Sequence, residues 1–379
     1  MQGLQSLSIR AALGMALMFA AGSAARADNG ISTTISGFGT VGGTFTGDSA
    51  YTYIHTVSEF KATNSQFDLG LDSRIGVQAN FTYGTYLSVI VQEEAKRRGS
   101  ENFSLGTEWA FLQYAPTPDV KLRLGRVVLA TFLMSDSRDV GYAQPWFNAP
   151  NEIYGSEPFE SLDGGQALWD ASMGPIRLHL EGEYGTTSQK EQAANVAFEI
   201  SAKSAYNLAA TLTYEDFLLR VAETAVSVPL TLPLGPTTAV SYSVHDKFLS
   251  VGFQYDNGKA ILLGEWHKRT ENDVPLVNLP LAIDKAWYAA GGWRFGQLTP
   301  LLMYGKWDPG LSVLSPPVAT ATWSASLRYD IVRNLALKVQ FSRPQVLDGV
   351  YFATPNYASS KRVTSSAWAR TSCSRATNP

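Results

Sequence analysis

Residues 67–81 read FDLGLDSRIGVQANF. Every second residue from Phe67 gives Phe, Leu, Leu, Ser, Ile, Val, Ala, Phe. The other set is Asp68, Gly70, Asp72, Arg74, Gly76, Gln78 and Asn80. Successive strand side chains point to opposite faces, so this period-two pattern predicts one long strand with an apolar and a polar face. Soluble strands usually run about five or six residues, whereas a tilted strand crossing a bilayer needs about 9–11. A lipid-facing ribbon accounts for the length directly.

The pattern recurs along the chain. IRLHLEGEY at 176–184 sets its apolar residues against Arg177, His179, Glu181 and Glu183, and NLALKVQFS at 334–342 sets Leu335, Leu337, Val339 and Phe341 against Lys338 and Gln340. In LGTEWAFLQYA at 105–115, Trp109 and Phe111 stand opposite Glu108, and in DVKLRLGR at 119–126, Leu122 and Leu124 oppose Lys121 and Arg123. With ISTTISGFGTVGGTF at the start, fifteen strands are predicted. Short turns such as Tyr83-Gly84, Gly174-Pro175, Glu215-Asp216 and Asp256-Asn257-Gly258 alternate with longer polar connections near 46–66, 96–104, 186–202, 228–246, 270–283 and 308–318. Turns at one end and loops at the other define an all-β, transmembrane antiparallel barrel. A β-sandwich explains alternation but not strand length, and a solenoid would repeat a sequence motif. The longest connection, about 128–165, follows the fifth strand; so long a loop in a compact domain is usually functional.

The N-terminus carries Arg10, an apolar run from Ala11 to Gly22, and Ala25-Arg26-Ala27, which together predict a signal peptide over 1–27. Its removal takes the net charge from −3 to about −5, which argues against a nucleic-acid partner. The single cysteine, Cys373, excludes an internal disulfide framework. The barrel domain is assigned to 28–346. Residues 347–379 form an atypical tail, ending polar and basic, read as a shifted reading frame or a degenerate last strand.

The glycine-rich ISGFGTVGG, the LDSRIGVQANF ribbon, LRLGR leading into the long loop, and the loop text SDSRDVGYAQPW and EIYGSEPFESLDGG together resemble the Gram-negative porin family. The resemblance implies sixteen strands, a homotrimer in the outer membrane, and a third extracellular loop folded into the lumen to narrow it.

Enzyme and cofactor motifs are weak here. Gly37 to Gly42 matches G-x-G-x-x-G, but a β-rich stretch follows where a dinucleotide site needs a helix. His55, His179, His245 and His267 have no metal-ligand spacing, and no G-x-S-x-G elbow exists, so neither an enzyme nor a cofactor is expected. If the apolar set faces lipid, the polar set lines the lumen. Asp72, Arg74, Glu108, Lys121, Arg123, Arg126, Arg177 and Arg220 are the candidate wall residues, with Arg126 off parity and assigned to the base of the loop. The candidate constriction loop carries Asp136, Asp139, Glu152, Glu157, Glu160 and Asp163 against Arg138. An acidic loop facing a basic wall would set which solutes pass. The expected function is passive diffusion of small hydrophilic solutes and ions, in contact with outer-membrane lipid and lipopolysaccharide. The alternative is a barrel adhesin or receptor that binds a partner through its loops.

Overall fold

A computed structural model describes residues 10–17, 30–46, 67–98, 103–156, 159–193, 196–233, 239–272, 281–308 and 318–349. The strands are β1 Arg10–Leu17, β2 Ile31–Thr46, β3 Arg74–Tyr83, β4 Leu87–Lys96, β5 Ser104–Thr117, β6 Val120–Val128, β7 Ser161–Met173 and β8 Ile176–Ala193. They continue as β9 Val196–Tyr214, β10 Phe217–Pro233, β11 Ala239–Asp256, β12 Ala260–Asn272, β13 Leu281–Trp293, β14 Leu298–Asp308, β15 Val318–Val332 and β16 Leu335–Gly349. The only α-helix among the described residues is the four-residue α1 Asn151–Tyr154.

From β2 to β16, fifteen antiparallel strands form one sheet in which each pairs with its neighbours in sequence. The backbone of β1 pairs with β16 on one side and β2 on the other. β1 lies within the stretch read as a signal peptide.

The two faces follow the parity of the sequence. Ile75, Val77 and Phe81 on β3, Leu122 and Leu124 on β6, Leu208 and Leu212 on β9, Leu262 on β12 and Leu302 on β14 are all exposed. Their neighbours Gln92, Glu94, Arg220, Glu265, His267, Lys338 and Gln340 are buried. An apolar exterior over a polar interior is the inverse of a soluble domain and suits a sheet solvated by lipid. Near the short turns the exposed set becomes aromatic, with Tyr83, Tyr86, Tyr114, Tyr214, Phe217, Trp293 and Phe295 at one rim. Such rings sit at the headgroup level of a bilayer. The turns themselves reverse through Gly84, Gly174, Gly258 and Gly296, all at positive φ; at the two-residue turn after β9 that place is taken by Glu215, at φ 50.

Several expectations are corrected. The opening ribbon becomes a strand only at Arg74. Residues 69–72 form a turn, Thr44 and Asp68 make an isolated bridge, and Leu71 is buried where an exposed position was expected. β8 and β9 run on to Ala193 and Val196, and β10 and β11 to Pro233 and Ala239, so the expected long connections at 186–202 and 228–246 are mostly strand. A bulge where Gln92 and Glu93 face Trp109 and Thr107 inserts Glu108 as an extra residue. The bulge turns Trp109 and Phe111 inward, away from the lipid face assigned to them. The Trp109 Nε1 donates to Gln78 Oε1 at 3.2 Å, and Phe111 is buried under Arg123, whose guanidinium lies 4.7 Å from its ring centre. The tail beyond Gly349, and Glu157 in the loop, lie outside the described residues.

Candidate functional site

β7 begins at Ser161, so the long connection occupies 129–160. It lies on the polar face of the sheet and is tied to strands far apart in the sheet order. At its start, Arg220 of β10 donates to the Ala130 carbonyl at 2.7 Å, and Ser250 of β11 to that of Thr131 at 2.7 Å. Glu265 of β12 accepts from the Leu133 backbone at 3.1 Å and from the Tyr154 hydroxyl at 3.0 Å. The Lys338 ammonium of β16 donates to the carbonyls of Gly141, Gln144 (2.6 Å) and Trp146 (3.0 Å). Arg328 of β15 adds bonds to the Tyr142 and Gln144 carbonyls at 2.7 and 3.0 Å.

The middle of the loop meets β3 and β4 through ions. Asp139 pairs with Arg74 and with Lys96, the latter at 2.5 Å. Lys96 also lies 3.2 Å from Glu160, 3.1 Å from Glu94 and 3.4 Å from Glu108. Arg98 closes on Glu108, and Arg138 lies 3.5 Å from Glu160. One oxygen from each of Glu94, Glu108 and Asp139 falls within a 4.8 Å cluster of the kind that can hold a cation. Here the Lys96 ammonium stands among these carboxylates and supplies the positive charge. Burial alone would raise the Asp139 carboxyl, but Lys96 and Arg74 outweigh it and hold the group well below the usual range. Glu160 is lowered in the same way, burial being outweighed by Lys96 and Arg138. Asp136 goes the other way. Burial raises it, and the attraction of Arg220 offsets only part of that.

The other flank of the loop is apolar. Phe132, Met134, Trp146, Ile153 and Tyr154 pack on Phe248, Ile261, Leu263, Tyr288, Leu301 and Met303, which point inward from β11 to β14. Trp146 meets Tyr288 edge-on at 5.8 Å between ring centres, and Phe132 stacks on His267 at 5.4 Å. Glu152 is buried against β14, where any Cβ on Gly305 would come within 2.5 Å of its carboxylate.

The candidate wall residues divide. Arg74, Glu108 and Arg220 hold the loop or its cluster as described. Arg123 donates to Gln113 and Gln166, each at 2.9 Å. Lys121 bonds Asp170 at 3.1 Å, Asp170 bonds His179 at 2.7 Å, and Glu181 pairs with Arg220. Arg177 is exposed on β8 opposite Ser172 and Thr213. Asp72 is buried in the turn before β3 and accepts from Thr44; with its amide nitrogen turned inward, Asn148 of the loop donates to Asp72 at 3.0 Å. Two assignments are corrected. Arg126 and Asp163 are cross-strand neighbours on the outward face and bind each other through two 2.7 Å hydrogen bonds. Gly125, at φ 136, reaches a conformation that L side chains rarely adopt, and a Cβ there would come within 2.3 Å of the Ala110 carbonyl. Lys96 and Glu94 were missed, because the charge run QEEAKRR obscures the parity of β4 and Lys96 fell in an expected loop.

One sheet with an apolar exterior, a rim of aromatic rings and a loop laid over the polar face defines a membrane β-barrel protein. The profile of the Gram-negative porin family matches residues 11–345, and the chain belongs to that family, whose place is the outer membrane. No curated protein sequence matches it. Among solved structures it is similar to in-vitro folded OmpT, an outer membrane protein of Vibrio cholerae, at 13% identity and a TM-score of 0.48, over 95% of this chain and 93% of that one. It is also similar to the outer membrane channel DcaP of Acinetobacter baumannii, at 11% identity and a TM-score of 0.47, over 89% and 96%. A third is the anion-selective porin from Comamonas acidovorans, at 11% and 0.41, over 90% and 99%.

Proposed function

We propose that the chain is a water-filled diffusion channel for small hydrophilic solutes and ions, a closed sixteen-stranded barrel narrowed by the 129–160 loop. β2 and β16 both run from the turn end to the loop end, and a sixteenth strand antiparallel to both, where β1 pairs, would close the barrel. The observation that carries the reading is the attachment of one loop to β3 and β4, to β10 and β12, and to β16, which supports a loop laid across a lumen. A homotrimer and contact with lipopolysaccharide go with this reading, and the chemistry asked of the site is passage, not turnover.

The ion pairs change how selectivity is assigned. Asp139 and Glu160 are neutralised by contact with Arg74, Lys96 and Arg138. With Arg220 and Glu181 paired to each other as well, the charges left to set the field in the passage are Arg123 on β6 and Asp136 on the loop. Reversal potentials in a salt gradient test this in planar bilayers. Arg123→Ala should shift selectivity towards cations and Asp136→Ala towards anions; no shift in either removes the proposed constriction. The apolar packing of the loop on β11 to β14 favours a second reading, a plugged receptor barrel. Ohmic single-channel steps from the purified protein would discard it, and a silent bilayer would support it.

A further inference from the structure

One cation of the inner wall keeps different company from the rest. Arg74 on β3, Arg220 on β10, Arg269 on β12 and Arg328 on β15 each meet a carboxylate, those of Asp139, Glu181, Asp246 and Asp330. Arg123 on β6 takes two amides instead. Its Nε donates to Gln113 Oε1 and its Nη1 to Gln166 Oε1, each at 2.9 Å. Among the described residues Arg123 forms no ion pair. A neutral amide oxygen satisfies a guanidinium N–H and leaves its charge uncompensated.

Gln113, Arg123, Gln166 and Glu183 are successive cross-strand partners on β5, β6, β7 and β8. Gln166 Nε2 donates to Glu183 Oε1 at 2.7 Å, and Glu183 Oε2 accepts from the Ala130 backbone of the loop at 3.4 Å. Gln166 and Glu183 are both buried. A guanidinium can only donate and a carboxylate only accept, so the amide between them has one satisfying orientation, oxygen to Arg123 and nitrogen to Glu183. Glu183 therefore fixes the end of the amide that Gln166 shows to Arg123. Phe111 packs against the guanidinium, 4.7 Å from its ring centre. Without these supports Arg123 has other partners within reach, because Asp136 on the loop and Glu181 on β8 already attract it. A freed guanidinium would turn to one of them, and contact with a carboxylate would cancel the charge left facing the passage.

The geometry points to Gln166 and Glu183 as positioning residues for ion selectivity: Glu183 orients Gln166, and Gln166, with Gln113, keeps Arg123 an uncompensated cation. This rests on the reading of the chain as a channel with Arg123 on its passage. The test records reversal potentials in a salt gradient for Gln166→Met and Glu183→Met, each with Arg123 intact and in an Arg123→Ala background. Removing an acid acts directly only towards anions, and removing a neutral amide has no direct effect, so a shift towards cations reports the arginine. Both single variants should move the permeability ratio towards cations by about twofold, the effect of one unit charge about 8 Å away in water. Neither should move it further once Arg123 is alanine. A shift towards anions, no shift, or an equal shift in the Arg123→Ala background would each overturn the positioning role. If Glu183→Met does not fold, Gln166→Met decides by the same outcomes. Should Arg123→Ala shift selectivity while Gln166→Met and Glu183→Met match wild type, the positioning role falls and the channel stands. A wild-type protein that conducts nothing would overturn both.

Discussion

The loop meets the sheet in two different ways. On β3 and β4 it is held by charges, Asp139 and Glu160 against Arg74 and Lys96. On β11 to β14 it is held by apolar packing, with Trp146, Ile153 and Phe132 entirely or almost entirely buried. Both flanks occupy the polar parity of the sheet. The difference teaches that interior parity does not mean wet: Ile261, Leu263, Leu301 and Met303 are interior and apolar because the loop covers them. Apolar packing needs only matched volume, whereas the ionic flank needs each buried charge to keep its partner.

The comparison can be broken from either side. The largest effect is expected on the apolar flank. Trp146→Ala should cost about 3–5 kcal/mol of loop anchorage by leaving a cavity, seen as larger and noisier single-channel conductance and a lowered thermal transition in micelles. Unchanged conductance would mean that the loop is not held there. On the ionic flank, Asp139→Asn removes the carboxylate shared by Arg74 and Lys96, while Glu160 and Glu94 still face Lys96. These groups are partly exposed, so the expected cost is about 1–3 kcal/mol, with a modest rise in conductance. Lys338→Met leaves the carbonyls of Gly141, Gln144 and Trp146 without their common donor and should cost about 1–2 kcal/mol. Protease cleavage within 141–146 would report the loosening, and equal resistance to wild type would contradict it.

Acidification should separate the loop carboxylates. Asp139 and Glu160 are depressed when folded, so their contribution is present above the unfolded carboxylate value of about 4 and is lost only as the pH falls below it. Asp136 is raised, so it takes up a proton above that value. As the pH falls towards the ordinary carboxylate range, selectivity should therefore move towards anions while the loop stays anchored, and Asp136→Asn should abolish the shift. A shift that survives the substitution would contradict the assignment. The smallest effect is expected at Glu215→Gly, which relieves positive φ at a turn and should stabilise by less than about 1 kcal/mol, read as a small rise in the thermal transition.

Most of the strands were legible because lipid outside and polar groups inside impose period two on them, as in Ile75, Val77 and Phe81 against Gln78 and Asn80. Strand ends were not, because β8 to β11 continue past the membrane, where no apolar face marks them. The bulge at Glu108 was invisible, since one inserted residue inverts parity without changing composition. The site was only half legible. Parity put Arg74 and Arg220 on the polar face, but it cannot say which charges meet across the sheet. It therefore missed Lys96, and the assignment of Arg126 and Asp163 to the long loop, made against parity for Arg126, failed because they pair with each other on the outward face.

The central claim is that the polar parity lines water and the apolar parity faces lipid. With Cys373 replaced by serine, Lys121→Cys and its neighbour Leu122→Cys can be treated with a charged thiol reagent during single-channel recording. Lys121→Cys should react from the bath with a stepwise loss of conductance, and Leu122→Cys should record unchanged. Equal responses at the two positions, or a response at Leu122→Cys alone, would contradict the account.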